Sequence, residues 1–435
     1  MIESLLSRAK REAQEAEVYE ATLEETTAAF ETNRLKHLQT RSSHLLALRV
    51  VKDGHTGHAL TMGGTGDLAA RALEASRFGP TTHFHFPQSI PSSPLPVYDP
   101  DGERVGLEAM VGVVEEIIGR LLNHTPGLQC NARVVRGSLH IRLLNSWGAE
   151  ASYRKSYSGL EVEGVLVRGT DMLFVGDSWS SCHPVKDISA LVREVITQLE
   201  WARELAPSPR GPLPVILSPR GVLSAFSLPL NLAFNGRVVL QGASPLAQRR
   251  GERVFSPGFD LWDDATLPFQ PRSRPWDDEG VPSRRVPLVE KGVVAGFLYD
   301  LQTAGQAGAE STGSAARSLG APPSPSPSSL IIGEGTRTVE EMIKGLREGL
   351  LVEQLMGADQ GNVLGGDFSG NVLLGYKIEG GEVVGRVKDT MVSGNMYSCL
   401  KEGVEVGRGA RWVDGGLYTP PILLTHLSVS TRGEE

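Results

Sequence analysis

The sequence is short of cysteine, has no long apolar run and carries none of the short motifs that mark the commonest enzyme sites. Its three cysteines, Cys130, Cys182 and Cys399, are odd in number, far apart and form no CxxC pair. That excludes a disulfide framework and a cysteine-built zinc site, and it fits a reducing cytoplasm. No apolar stretch approaches the length needed to span a bilayer. The start, Met1 to Glu15, has no signal-peptide core, so a cytoplasmic location is expected. Positive charge is also scarce: 43 Lys and Arg against 51 Asp and Glu give a net charge of −8. A nucleic-acid partner held by electrostatics is therefore not expected. There is no P-loop, no GxSxG elbow and no GxGxxG after a strand. None of the ten histidines is followed by Glu, so HExxH is absent too.

What is present is an ordinary globular composition, 40% hydrophobic and 22% charged over 435 residues, enough for two domains. Ile2, Leu5, Leu6, Ala9 and Ala13 recur at helical spacing. A strand is expected from Glu17 to Leu23. A hairpin is expected from Leu45–Val51 and His58–Thr61 around Asp53-Gly54. Helices follow at Thr65–Arg77 and Glu108–Leu122, separated by an irregular proline-rich stretch from Pro80 to Pro100. Asn131 to Trp179 reads as β, with turns at Asn145–Gly148 and Arg168–Asp171. Ile188, Leu191, Val192, Val195, Ile196 and Leu199 line one helix face. Four prolines in the nine residues 206–214 mark a linker. The resulting organisation is α+β. Residues 1–205 form an α/β domain with helices on a mostly antiparallel sheet. Residues 215–435 form a β-rich, barrel- or sandwich-like domain. In the latter, hairpins are expected at Arg285–Tyr299 and Val372–Lys388, and a helix capped by Thr338 and Glu341 is expected to bury Val339, Met342, Ile343, Leu346 and Leu350. Thr303 to Ser329 reads as a long low-complexity loop.

Candidate sites weigh as follows. His55 and His58 flank a turn; a polar hairpin explains them better than zinc, which needs three or four ligands. His83 and His85 alternate with Phe84 and Phe86, as in an edge strand. Asp277-Asp278-Glu279-Gly280 could take a cation or a peptide amine, although adjacent acids usually form a solvated loop. Gly365 to Gly370 reads as a bulge or a close backbone contact.

Ordered blocks in the second half resemble the TldD/PmbA family, whose PmbA branch is also called TldE. They are Asp278-Glu279-Gly280-Val281-Pro282 with Arg284-Arg285; Val289-Glu290-Lys291-Gly292-Val293 with Gly296-Phe297-Leu298-Tyr299-Asp300; Ser311-Thr312-Gly313; Gly366-Asp367-Phe368-Ser369 with Gly375-Tyr376-Lys377-Ile378-Glu379; and Gly394-Asn395 with Leu400. The first half agrees more loosely, at Ala16-Glu17-Val18 and Asn145-Ser146-Trp147-Gly148. The resemblance implies a dimer, often a heterodimer, and work on small, unfolded or modified polypeptides. It implies substrate or interface contacts at Asp278, Glu279, Gly280, Asp367, Phe368, Ser369 and Asn395. In the TldD branch an HExxxH helix and a late cysteine hold zinc. Here the matching helix, Gly221 to Leu230, has neither His nor Glu, and no cysteine lies near Val406 to Arg408. The resemblance is thus to the PmbA branch. No catalytic residue, metal ligand or cofactor is assigned to this chain, and zinc is expected in a TldD-type partner. The alternatives are a homodimeric peptide-binding or scaffold protein, and a hydrolase built on the acids around Asp278.

Overall fold

Helix α1 (Ile2–Ala9) buries the stripe that its spacing predicts. Ala13 lies beyond its end yet packs on the same cluster. The computed structural model describes residues 2–64, 66–91, 94–318 and 321–431. Strand β1 (Glu15–Glu31) is 17 residues long, well beyond the predicted Glu17–Leu23, because β2 (Arg34–Lys52) and a later strand flank it along nearly its whole length. The hairpin from β2 into β3 (His55–Thr61) turns at Asp53-Gly54, both at positive φ, as a tight two-residue turn requires. The next predicted helix is shorter than expected: α2 runs Leu68–Ala75 and passes into a 3-10 turn at Ser76–Phe78. Thr65 lies outside the described residues. A four-residue turn of helix, α3 (Asp101–Arg104), precedes α4 (Leu107–His124). Strands β4 (Gln129–Asn145), β5 (Glu150–Arg168) and β6 (Asp171–Ser181) and helix α5 (Ser189–Trp201) follow as the pattern predicts.

These strands form one antiparallel sheet in the order β3-β2-β1-β4-β5-β6, curved into a half-barrel. Side chains alternate across it. One face of the β1–β3 end carries Ala16, Val18, Leu46, Leu48 and Ala59 under α1 and α2. The other carries Tyr19, Ala47, Ile141 and Leu143 against Trp276.

The second half opens with β7 (Gly211–Leu217), so the last residues of the proline-rich linker are themselves in a strand. Helices α6 (Pro219–Ala233) and α7 (Gly236–Leu240) come next, then β8 (Leu261–Asp264), β9 (Arg285–Glu290) and β10 (Val293–Val294). The predicted hairpin over Arg285–Tyr299 stops at Val294. Beyond it the chain turns to the end of α6, where Leu298 N–H donates to Phe234 O and Gly236 N–H to Leu298 O. The expected structureless stretch from Thr303 to Ser329 is ordered over much of its length: α8 (Leu301–Ala307) starts in a capping box of Asp300 and Thr303, and β11 (Ala315–Ala316) pairs with β12 (Ser324–Pro325). After β13 (Leu330–Ile332), α9 has its predicted Thr338–Glu341 capping box but ends at Lys344. Gly345 stops it, and Leu350 belongs to β14 (Glu348–Met356) rather than to the helix.

The last elements are β15 (Asp367–Glu379), β16 (Glu382–Arg386), β17 (Thr390–Asn395), α10 (Met396–Lys401), β18 (Val404–Val406), β19 (Arg411–Val413), β20 (Leu417–Thr419) and β21 (Ile422–Thr431). Three of them, β15, β17 and β21, join β7 and β14 in a closed barrel in the order β14-β7-β21-β17-β15, shut by the β14–β15 pairing. The α+β expectation holds. Helix α6 packs on the barrel through Val222, Ala225, Phe226 and Leu230. The core is continuous between the halves: α4 and α5 bury Val114, Leu121 and Val195 in one cluster with Ile216, Leu351, Tyr376 and Leu423 of the barrel. Among the described residues, no helix is long and apolar enough to cross a membrane.

Leu121 is fully buried in that shared cluster. Leu121→Ala should cost about 2–5 kcal/mol, from lost transfer energy plus a residual cavity. Urea unfolding followed by fluorescence should show the midpoint falling. An unchanged midpoint would mean that α4 is not held by this core.

Candidate functional site

The acidic turn is where the structure departs furthest from the expectation of a solvated loop. Asp277 and Glu279 are fully buried, and Asp278 nearly so. They reach across from the second half of the chain onto β1 and β2. Arg49, alone among apolar neighbours in Leu45-Leu46-Ala47-Leu48-Arg49-Val50-Val51, stands beside Glu17 in the strand register and His58 on its other side. Its guanidinium pairs with Glu279 and lies 3.3 Å from Glu17. Phe84 and Phe86 lie against it, each ring centroid 4.8 Å away. The segment holding them is therefore not the edge strand that the His-Phe alternation suggested; outside Thr81 it makes no strand pairing. Its aromatic rings, not its histidines, face the charge. His85 instead meets the Glu15 carboxylate, which also accepts from Trp147 Nε1 at 2.9 Å.

A second guanidinium completes the network. Arg317 pairs with Glu17, donates to Asp278 O through Nε at 3.1 Å and through Nη2 at 3.0 Å, and lies 4.7 Å from the Tyr19 ring. Arg274 approaches Asp278 at 3.7 Å, and Tyr19 donates its hydroxyl to Asp278 Oδ1 at 3.4 Å. The turn is pinned by its own acids: Asp277 accepts from the backbone of Glu279, Val281 and Ala315, and Glu279 from Leu301 N. Gly280 must be glycine here, since φ is +79° and a Cβ would meet Ile90 at 3.0 Å.

Four buried carboxylates (Glu17, Asp277, Asp278, Glu279) thus face three guanidiniums (Arg49, Arg274, Arg317). Burial pushes the Asp277 and Glu279 carboxyls up, against the pull of Arg274 and Arg49 respectively. His58 is held neutral, down at about 4, by burial and by Arg317 and Arg49. His55, three residues earlier on the same strand, points to the opposite face and meets Gly79 O, so the two histidines do not converge.

The other predicted contact residues form a separate group. Asp367 and Asn395 are cross-strand partners in β15 and β17, joined at 2.8 Å; Asn395 also caps α10 by accepting from Ser398 N. Phe368 is buried edge-on to Phe226 of α6, with centroids 5.6 Å apart. Ser369 is exposed beside Met391. No described hydrogen bond, ion pair or ring contact joins this group to the acidic turn.

Helix α6 begins at Ser218, which accepts from Gly221 N and donates to Glu353 Oε2 at 2.7 Å. Gly221 lets the helix approach β14 closely: a Cβ there would sit 2.4 Å from Val352 O. The 15 residues of α6 include no His, Asp, Glu or Cys, and Val404 to Arg408 include no Cys or His. Cys399 lies on α10, half-buried, its thiol pushed up by burial. This donor set does not fit zinc, which needs imidazole, carboxylate or thiolate ligands. Two adjoining cavities of about 270 and 420 Å³ run between the end of β6, at Ser178 to Ser180, and the β19–β20 hairpin; Trp179, Arg272, Trp412 and Tyr418 are among their walls.

Sequence reasoning missed Glu17 as a charge partner, and Arg49, Phe84, Phe86 and Arg317 altogether. The available signal was one Arg inside an otherwise apolar strand, since a buried guanidinium demands a carboxylate.

Arg49→Ala would leave Glu279 without its guanidinium and Glu17 with Arg317 alone, and should destabilise by about 3–5 kcal/mol. Adding Glu279→Gln should recover part of that loss in urea unfolding; additive losses would show that the pair is not linked. Glu353 supplies a pH test. Burial and the nearby Glu194 raise its carboxyl to about 7, against the Ser218 bond. A carboxyl raised on folding binds its proton more tightly in the folded state, so its contribution is full below its unfolded value near ~4.3 and is lost as pH rises towards 7. The stability difference between wild type and Glu353→Gln, measured from pH 4.5 to 7.5, should therefore move in favour of Glu353→Gln as pH rises. A difference independent of pH would contradict this.

The family comparison agrees with this architecture. Residues 210–431 match the PmbA/TldA metallopeptidase C-terminal domain. An uncharacterized protein of Methanocaldococcus jannaschii is 26% identical over 416 residues, covering 93% of this chain and 94% of that one. A metalloprotease of Methanothermobacter thermautotrophicus is 29% identical over 278 residues, 62% of this chain and 60% of its own length. The crystal structure of TldE from Thermococcus kodakarensis shares the fold, with a TM-score of 0.89 over 99% of both chains at 23% identity. With half of its length matched by the C-terminal domain, the chain belongs to the TldD/PmbA family of metallopeptidase-related proteins.

Proposed function

We propose that this chain is a non-catalytic, PmbA-like subunit of a TldD-type zinc peptidase, one that helps to enclose and hold an unfolded or modified peptide while a partner cleaves it. The observation that carries this reading is α6. The resemblance puts the zinc helix of the TldD branch at this place in the chain, and the positions from Val222 to Leu230 here are Val, Leu, Ser, Ala, Phe, Ser, Leu, Pro and Leu. Without imidazole, carboxylate or thiolate there is no Lewis acid to polarise a carbonyl and no general base on the helix to take a proton from water.

The acids around Asp278 offer no replacement. Asp277 and Glu279 are buried, and all three carboxylates are committed to backbone amides, tyrosine or guanidiniums. A nucleophile or base so engaged has no open side from which to meet substrate.

What the chain does offer is a place for an extended peptide. The smaller cavity beside Ser178 to Ser180 lies over the face of β4, β5 and β6, and the larger reaches the outer edge of the half-barrel sheet, where β6 has β5 on one side only. Gln198 occupies the outward amide and carbonyl of Gly176, so the stretch usable for strand addition lies beyond it.

The test is reconstitution with the HExxxH-bearing relative from the same cell. The mixture should form a complex in which zinc tracks the relative, and peptide hydrolysis should rise when this chain is added. Two chains that stay apart with an unchanged rate would end the proposal, as would zinc bound one-to-one by this chain alone.

A further inference from the structure

Strand β2 is paired on both sides only where β3 reaches it, from Leu46 to Lys52. From Arg34 to Ser43 its outer edge has no strand partner, and residues 34–42 are all exposed. The edge is nevertheless firm, because β1 pairs with it beneath and β4 pairs with β1 in turn.

Its chemistry is one-sided. Residues 32–52 contain no Asp or Glu, in a chain whose net charge is −8. Arg34, Lys36 and Arg41 make none of the described ion pairs, although β1 beside them is rich in glutamate. Part of the reason lies in how those glutamates are used, and Glu31, directly across from Arg34, makes none of the described ion pairs. Glu25, directly across from Arg41, accepts from the Tyr157 hydroxyl at 2.7 Å and lies 3.6 Å from Arg133; Glu20 is taken by His44. The edge therefore keeps its positive charge. Leu35 and Leu38 are 44% and 46% exposed and stand opposite Phe30 and Ala28, whose side chains are buried under α4. The apolar face of the sheet thus runs out to the edge and stops uncovered.

We infer that this half of β2 is a docking edge for a strand of a different chain, one whose facing edge carries acidic side chains. A second copy is the wrong occupant. Two-fold pairing of this edge with itself, centred between His37 and Leu38, would set Arg34 against Arg41, with no acid on either strand to offset them. An acidic strand would neutralise them, satisfy the open backbone groups and cover Leu35 and Leu38. The inference rests on the reading of this chain as a subunit and names the surface by which it meets its partner.

The test uses the full chain and the HExxxH-bearing relative of the same cell, mixed and followed by sedimentation and by amide hydrogen exchange. Binding should weaken about tenfold or more in the triple variant Arg34→Glu, Lys36→Glu, Arg41→Glu, because like charges then face the acidic edge. It should also weaken as salt is raised from about 50 to about 500 mM, and amides 34–43 should be protected in the complex alone. Leu35→Ser with Leu38→Ser is the second variant and should weaken binding without reversing charge; unchanged circular dichroism of both variants separates binding from folding. A complex of unchanged affinity with no protection at 34–43 overturns the edge while leaving the subunit reading intact. Protection at 34–43 in the chain by itself, growing with concentration, overturns it in favour of a second copy. If the unmodified chains do not associate at all, the subunit reading fails and the edge inference with it.

Discussion

The Arg49 guanidinium fixes how the two halves of this molecule meet. It stands on the sheet, reaches Glu17 on its own side and Glu279 across the seam, and is flanked by Phe84 and Phe86. Removing a charge from water costs several kcal/mol, and two carboxylates with two aromatic faces offset that cost only if all of them arrive together. Three segments with little local structure are thereby given one arrangement: the proline-rich stretch that carries the phenylalanines, the Asp277–Glu279 turn, and the loop that carries Arg317. Ion pairs of this kind add little net stability compared with apolar packing. Their effect is directional, since the charges are paired only when the acidic turn meets β1 and β2 in this arrangement.

That dependence explains which features could be read from the sequence. Elements set by neighbours in the chain were legible. The α1, α4 and α5 stripes, the Asp53-Gly54 turn, the Thr338 capping box and the long antiparallel run from Asn131 to Trp179 all follow from spacing and turn chemistry. The acidic turn was not, because what buries it lies far away: Glu279 and its partner Arg49 are 230 residues apart. Composition alone makes three adjacent acids look solvated, and only the distant guanidiniums reverse that. The same holds for Thr303 to Ser329. Its start is held locally by the Asp300–Thr303 capping box, but further on Asp277 and Asp278 hold it by accepting from the backbone of Ala315 and Arg317.

The contact residues divide in a comparable way. Asp278, Glu279 and Gly280 are part of the seam, so their place in the family pattern has a structural reason that is independent of substrate. Asp367 and Asn395 are also structural, bridging β15 to β17 and starting α10. Asp367 and Ser369 are the members of the set left exposed, and Phe368 touches α6. Family motifs here mark the positions at which the fold is held as much as those at which it would act.

Helix α6 is held in place by packing and capping alone. Its stability comes from the face turned to the barrel, where Val222, Ala225, Phe226 and Leu230 pack, and from the close approach at Gly221. The Ser218 cap and the Glu353 carboxyl fix its start. None of these interactions needs a zinc ion. Under the proposed reading, the Leu, Ser and Pro positions of α6 can differ from those of a zinc-binding relative without removing what positions the helix. The sheet, the seam and the barrel would persist and the chemistry would not. A chain in that state retains a rigid sheet with open strand edges, and an open edge is a means of binding another polypeptide that requires no reactive group.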